Sequence, residues 1–527
     1  MTTDSAASTR KSLSIAAVIM MSSVLLSRII GLLREMVLAN SGGTTVEMDA
    51  YVTSFLIPEL LNHFLASGFL SITFIPIFQR YLTSSRSDEG WKSFSNLLTI
   101  GSILFLIFIP ATMILTPVLL LPMGPHIKSP ETYHLTIRLT RIILPAQIFF
   151  YWGAFFNAVQ MAQRRFFLPA LTPLIYNAGI IVGGIILGPS LHIEGFAWGV
   201  LAGSFFGNVV LPLPGAIAVG MRYAPQFDLR HPDVKTYVIK TLPLILGFSM
   251  SSSTELFFRF FGSYLPEGGT SSVNYALRTM MIVVGVFGQA SGVAFFPFLS
   301  QLAAEKKFDE MTRLLNNLLH KIAIFLLPVS AALYSVARPI IELLYERGKF
   351  NHESTIETAS VFCVYIFGSF TFSAAVIIAR SFYALQNMIT PLITSTLISI
   401  GSIPLYLLFS HVAGARGMAI ASVTGMLFQC IILYVIWNRK FGSIKNITGE
   451  ILFFTKVLLI SLGAAAAGRV FDHTVLLQLQ LFSSIHRLQL IFRIVAGTLP
   501  VFIVAFVTYE LTGLHRMRDT IRLFFKK

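Results

Sequence analysis

The chain has 527 residues, 55% of them hydrophobic and only 12% charged, with a mean hydropathy of +0.74. That balance excludes an ordinary soluble globular protein and points to a chain solvated largely by lipid. The net charge of +15 could suggest a nucleic-acid binder, but Lys and Arg fall mostly in short connections between apolar runs, with no basic domain or aromatic-basic patch outside them. Two cysteines, Cys363 and Cys430, both inside apolar segments, leave no disulfide framework and no thiolate metal site.

In chain order, Arg10 and Lys11 precede an apolar run in the manner of a signal peptide. The run extends past Met20 without a small-x-small cleavage site, so it reads as the first membrane span. Further runs of the length a helix needs to cross about 30 Å of hydrocarbon recur to the end of the chain. They predict spans near 14–38, 50–79, 94–121, 134–160, 168–188, 195–220, 236–262, 271–300, 314–337, 355–381, 389–411, 415–438, 450–468 and 490–513. The expected fold is an all-α polytopic membrane protein of about fourteen helices.

The connections orient these spans, because Lys and Arg collect on the cytoplasmic side. Even connections carry Arg80, Arg86 and Lys92; Arg164 and Arg165; Arg222, Arg230 and Lys235; Lys306, Lys307 and Arg313; and Arg439, Lys440 and Lys445. Odd connections are poor in them through the first two thirds of the chain: 122–133 has only Lys128. Both termini are therefore expected in the cytoplasm, in keeping with Arg516, Arg518, Arg522, Lys526 and Lys527 at the end. Arg347, Lys349 and Arg416 lie on the outer side against this trend.

An internal repeat is also legible. "NAVQ", "TPLI" at 172–175 and "GFAWGVLAG" at 195–203 recur in the same order as "YALQ", "TPLI" at 390–393 and "GMAIASVTG" at 417–425. The glycine stretches place small residues at helical spacing, where backbones approach closely. The copies share orientation, so a pseudo-two-fold along the membrane normal is expected. The implied plan is an N-terminal lobe over 1–222, a C-terminal lobe over 223–440, and a helix pair with a basic tail over 441–527.

Charges inside the spans are the functional signal, since an arginine at bilayer depth costs about 2.5–3.5 kcal/mol on insertion scales and normally faces a partner or a wet cavity. "LLSRIIGLLREM" at 25–36 contains Ser27, Arg28, Arg34 and Glu35. Arg28 and Glu35 share a helix face with Gly31, which admits an internal pair, and Arg34 lies near enough to the outer surface to snorkel. The second span has Asp49 at its outer end and Pro58, Glu59, Asn62 and His63 in its middle. Those polar groups either line a cavity or satisfy the carbonyl that Pro58 leaves free.

Glu255 and Arg259 in the seventh span stand at i,i+4 and can neutralise each other. Arg278 in the eighth has no acid within a turn of it. Spans one, two, seven and eight thus hold nearly all the buried charge and begin the two repeats. Their faces would meet at a cation-lined cleft fit for phosphate oxygens, which accept bidentate contacts from guanidinium. No phosphate-binding glycine loop, zinc helix or paired Asp-rich motif is present, so no cofactor, no metal and no covalent chemistry is expected.

Five segments carry a family resemblance: "SRIIGLLRE" at 27–35, "DAYVTSFLIPELL" at 49–61, "LPEGGTSSVNYALR" at 265–278, "LYERGKF" at 344–350 and "RSFYALQNMITPL" at 380–392. In these the chain resembles the MurJ (MviN) lipid II flippases of the multidrug/oligosaccharidyl-lipid/polysaccharide exporter superfamily.

The resemblance implies fourteen helices in two lobes and alternating access that carries lipid II, an undecaprenyl-pyrophosphate-linked disaccharide-peptide, from the cytoplasmic to the outer leaflet of the bacterial inner membrane. It implies that Arg28, Arg34 and Arg278 are cavity arginines, that Asp49 is the acidic residue opening the second helix, and that the final two helices line a groove for the polyprenyl tail. Ser27, Glu59, Asn62, His63, Glu255 and Arg259 are further cavity-lining candidates. A monomer among membrane lipids, with a functional link to peptidoglycan synthases, is the expected setting.

Three departures from the family pattern stand out: Asn62 and His63 where arginines are common, Leu277 where an acid often precedes the eighth-helix arginine, and Asn387 where an Asp is usual. The first weakens one phosphate contact. The last disfavours a sodium site, which leaves the membrane potential as the energy source.

Other readings are a flippase for a different lipid-linked oligosaccharide, a cation-coupled drug exporter, which would favour buried acids over arginines, and a membrane enzyme or scaffold, which would need a reactive cluster or neutralised arginines.

Overall fold

The structure is a computed structural model describing residues 23, 26–64, 70–122, 129–251, 253–442, 447–476 and 486–514. Arg10, Lys11, most of the start of the first span, Lys128, Lys445 and the basic tail from Arg516 lie outside these residues, as does the side chain of His63.

The described chain is helical throughout, with a single isolated bridge between Arg347 and Phe350 as its β contact. Ten of the described helices are long and apolar enough to cross a membrane. The fold is therefore an all-α polytopic membrane protein.

Two compact units are distinguished, Met1–Thr270 and Ser271–Lys527. The first contains α1 (residues 26–42), α2 (Val46–Ser54), α3 (Leu56–Phe64), α4 (Leu70–Thr83), α5 (Ser87–Leu120), α6 (Pro130–Ile143), α7 (Ala146–Ala162), α8 (Phe167–Leu191), α9 (Glu194–Phe205), α10 (Pro212–Ala218), α11 (Pro232–Ser251) and α12 (Ser253–Gly262). Its core is an aromatic stack of Phe74, Phe78, Trp91, Phe94, Tyr151 and Phe155. Successive rings lie 4.7 to 5.7 Å apart, mostly edge to face, the arrangement that the ring quadrupoles favour. By repeat, α11 and α12 open the second half of the sequence; by packing, they lie against α2, α3 and α4.

The second unit contains α13 (Gly269–Val284, whose first two residues belong to unit 1), α14 (Ala290–Ala304), α15 (Phe308–Ser335), α16 (Ala337–Tyr345), α17 (His352–Ala384), α18 (Ile389–Phe441), α19 (Ile447–Phe471) and α20 (His486–Leu511). One core joins α14, α15, α17 and α18 around Phe382 and Trp437. Another seats α19 and α20 on α15 through Ala331, Ala332, Ala464, Ala465, Val501 and Ala505.

Breaks in the spans have local causes. The expected span 50–79 is interrupted at Phe55, because Pro58 has no N–H for the Ser54 carbonyl and its ring crowds that oxygen. Thr140 on α6 donates its hydroxyl to that carbonyl at 3.3 Å, so a neighbouring helix restores the lost bond. Pro117 in α5 likewise leaves the Met113 carbonyl without its helical partner, and Arg141 Nε donates to it at 2.8 Å. α18 spans two expected helices and kinks between them at Ala413 and Gly414.

Backbone geometry bears out the repeat. Ser85 and Lys306, Arg164 and Gln386, and His192 and Gly414 all have φ between 50° and 61°, and each pair is separated by 221 or 222 residues. After the first four of these residues, the next amide bonds back five residues: Arg86 to Tyr81, Lys307 to Leu302, Arg165 to Gln160 and Asn387 to Phe382, at 2.8 to 3.0 Å. That is the bond by which a left-handed residue closes a helix end.

The glycine stretches do what their spacing predicts. A Cβ on Gly179 would lie 2.3 Å from the Gly203 Cα and one on Gly183 2.4 Å from the Gly199 Cα, so α8 and α9 touch backbone to backbone. In the second copy Gly425 meets the Ser402 hydroxyl.

Candidate functional site

In unit 1 Arg34, Asp49, Glu59 and Arg259 are each held by a neighbouring element. On α1, Arg34 donates from Nη1 to Asn177 Oδ1 of α8 at 2.9 Å and from Nη2 to the Glu35 carboxylate. The guanidinium therefore points inward to a side chain 143 residues away instead of snorkelling outward. Glu35, which shares a helix face with Arg28, takes its sequence neighbour Arg34 as a partner. Ser27 and Arg28, about two turns before Arg34, are half-buried.

Asp49 stands in the first turn of α2, which Thr45 caps by accepting the Met48 amide at 3.4 Å. Its carboxylate accepts the Gly268 N–H at 2.8 Å. Gly268 has φ +80°, and a Cβ there would lie 2.4 Å from the Thr44 carbonyl oxygen, so only glycine lets this loop approach α2 so closely. Asp49 thus holds a backbone turn.

Arg259 on α12 is 3% exposed. It forms an ion pair with Glu59 of α3, while Glu255, the partner expected at i,i+4, lies at 3.8 Å. The rings of Phe55 and Phe258 sit 5.7 and 5.6 Å from the guanidinium carbon. The sequence admitted a neutralising partner for Arg259, and the structure supplies one for Arg34 as well. Both are carboxylate-paired, because helices far apart in sequence bring Glu59 and Asn177 to them and the α1 backbone brings Glu35. Asn62, three residues after Glu59 on α3, is half-buried.

In unit 2, Arg278 lies half-buried on α13 between the fully buried Leu277 and the buried Thr279, whose hydroxyl donates to the Tyr275 carbonyl at 2.8 Å and contacts the Tyr345 hydroxyl at 2.9 Å.

The structure also explains the "ERG" stretch, which the charge pattern left against its trend. Arg347 Nη2 donates to the Leu343 and Leu344 carbonyls at 2.8 and 2.7 Å, capping the end of α16, and Glu346 accepts the Thr355 hydroxyl at 2.6 Å. Those residues fasten the α16–α17 turn.

Several groups escape a sequence reading. Tyr51, fully buried on α2, lies within electrostatic reach of both Arg34 and Arg259. Asp233, placed by hydropathy in a connection, is 1% exposed and accepts from Arg80 Nη2 at 2.9 Å and from the Tyr81 hydroxyl at 2.7 Å. Burial, then the bond to Asp233, raises the Tyr81 hydroxyl above its usual range, so at neutral pH it is protonated and donates. A hydrogen-bonded His320–Glu450 pair joins α15 to α19. A "HPD" turn before a helix is the one local hint of the Asp233 cluster; the others have none.

The family "Lipid II flippase MurJ" matches residues 38–488. A "Probable lipid II flippase MurJ" of Bdellovibrio bacteriovorus is 29% identical over 453 residues, covering 83% of this chain and 84% of the relative. Among solved structures, "Lipid II flippase MurJ, inward closed conformation" superposes with a TM-score of 0.76 at 24% identity, covering 96% of this chain and all of that one. An inward-facing multidrug resistance MATE family transporter of the MOP superfamily gives 0.66 at 16% identity, covering 82% and 99%. These two likenesses establish the fold.

Proposed function

The chain belongs to the MurJ lipid II flippase family, and from that premise we propose that it moves lipid II across the inner membrane, with arginines on α1 and α13 binding the diphosphate. It is a multi-pass membrane transporter. The observation that carries the functional reading is the family match over residues 38–488. Carbohydrate and diphosphate cannot cross hydrocarbon unsolvated, so a polar path must accompany the headgroup while the polyprenyl tail stays in lipid.

In this reading Arg28 and Arg278, which the family resemblance assigns to the cavity, supply the cationic character of that path. A guanidinium has five donors, so Arg34, with Asn177 and Glu35 bonded, contributes in a secondary way. Asp49 and Arg259 are assigned positioning roles. Transport proceeds by alternating access, without covalent change, the protein acting as a monomer and handing its product to peptidoglycan synthases on the outer face.

The test is complementation in cells depleted of their own flippase, at matched expression, together with lipid II flipping in proteoliposomes. Arg28→Ala and Arg278→Ala are expected to abolish rescue, and the Lys variants to recover part of it, because ammonium keeps the charge but loses the bidentate fork. Full rescue by both Ala variants overturns the arginine assignment. Flipping of a different lipid-linked oligosaccharide but not of lipid II favours the second reading, a flippase for that oligosaccharide.

A further inference from the structure

Three polar contacts join α3 and α4 of the second expected span to α11 and α12, and a fourth joins α2 to the loop after α12. Asp233 accepts from Arg80 and Tyr81. Thr241 donates to Thr73 at 3.3 Å. Arg259 pairs with Glu59, and Gly268 donates to Asp49. As the residue number falls along one member it rises along the other, so the described parts of the two segments run antiparallel. One span belongs to the first sequence repeat and the other opens the second.

The Asp233 rung differs from the rest in its construction. It stands where the charge rule places the cytoplasmic surface, among Arg80, Arg86, Arg222, Arg230 and Lys235. His231 accepts the Asp233 amide on Nδ1 at 3.2 Å and caps α11. The Tyr81 ring lies 5.6 and 6.0 Å from the guanidinium carbons of Arg80 and Arg86. A Cβ on Gly90 would lie 2.9 Å from the Tyr81 Cβ, so α5 braces that side chain from behind.

A carboxylate this buried is stable only while its donors are in place. The contact is therefore favourable when closed and becomes tolerable when open only if water reaches Asp233. Those are the properties of a two-position element.

We propose that Asp233, with Arg80 and Tyr81, is the cytoplasmic gate of the transporter: the rung opens to admit the substrate headgroup and recloses behind it. Asp233 is a positioning residue, holding α11 against α4 without touching substrate. The proposal rests on the flippase reading for its transport arm alone.

Two measurements test it in the full-length protein, with Cys363 and Cys430 replaced by alanine. In the first, Arg80→Cys and Asp233→Cys are joined by a short reducible thiol crosslinker and lipid II flipping is followed in proteoliposomes. Flipping is expected to stop when the link forms and return on reduction; flipping at the unlinked rate shows the contact is permanent and overturns the gate. In the second, Thr73→Cys, one rung inward, is labelled by a water-soluble maleimide from the cytoplasmic side, with and without Asp233→Asn. Loss of the charged bonds is expected to raise the labelling rate at least about tenfold, whereas an unchanged rate overturns the proposal. The labelling needs no substrate, so a parent protein that fails to flip lipid II counts against the flippase reading and leaves the gate tested.

Discussion

At the scale of single residues, the positions that matter most are those where chemistry and backbone leave one solution. Gly268 combines φ +80° with a 2.4 Å approach to the Thr44 oxygen, whereas Gly31 on α1 has nothing within 4 Å of its missing Cβ. Gly268→Ala is expected to cost about 1–3 kcal/mol and Gly31→Ala almost nothing, read as thermal unfolding in detergent. Equal shifts would remove the steric reason given for the loop at Asp49. Arg259→Gln leaves Glu59 without its ion-pair partner and is expected to destabilise by about 2–4 kcal/mol, towards the low end because Glu59 is partly exposed. Glu59→Gln should cost less, since Arg259 keeps Glu255 in reach, and the double variant less than the sum.

At the scale of elements, the repeat makes its own test. His192 and Gly414 occupy the same turn in the two copies, with φ near 50° and ψ near −130°, a region that side chains other than glycine's enter at a cost of about 1–3 kcal/mol. His192→Gly is expected to raise stability by about 1 kcal/mol, and Gly414→His to lower it; a reversal of either sign in differential scanning would mean that the turns are not equivalent. The α8–α9 contact predicts a sharper response: leucine at Gly199 would need room where the Gly179 oxygen and the Ile180 backbone stand 2.8 to 3.0 Å from a Cβ, so the helices must separate. Loss of folded protein on size-exclusion chromatography is the expected result, against a normal profile for leucine at Gly188, which faces open space.

At the scale of the whole molecule, the charge pattern of the connections predicts topology. Arg230→Cys should react with a membrane-impermeant maleimide only in inverted vesicles, and Glu267→Cys only in intact spheroplasts; the reverse pattern would invert the assignment of Asp233 to the cytoplasmic side. What the sequence settled unaided is what depends on sums over neighbouring residues: that lipid is the solvent, that helices satisfy their own backbone, roughly where each begins, and which family the motifs resemble. Hydropathy, caps and glycine spacing act within a few turns, so they survive without tertiary information. Only the folded chain decided the partners of the buried charges. Arg34 meets Asn177, Arg259 meets Glu59 and Arg80 meets Asp233 across 143 to 200 residues, because an ion pair is fixed by which helices pack, and packing is a property of three-dimensional contact that no local window contains.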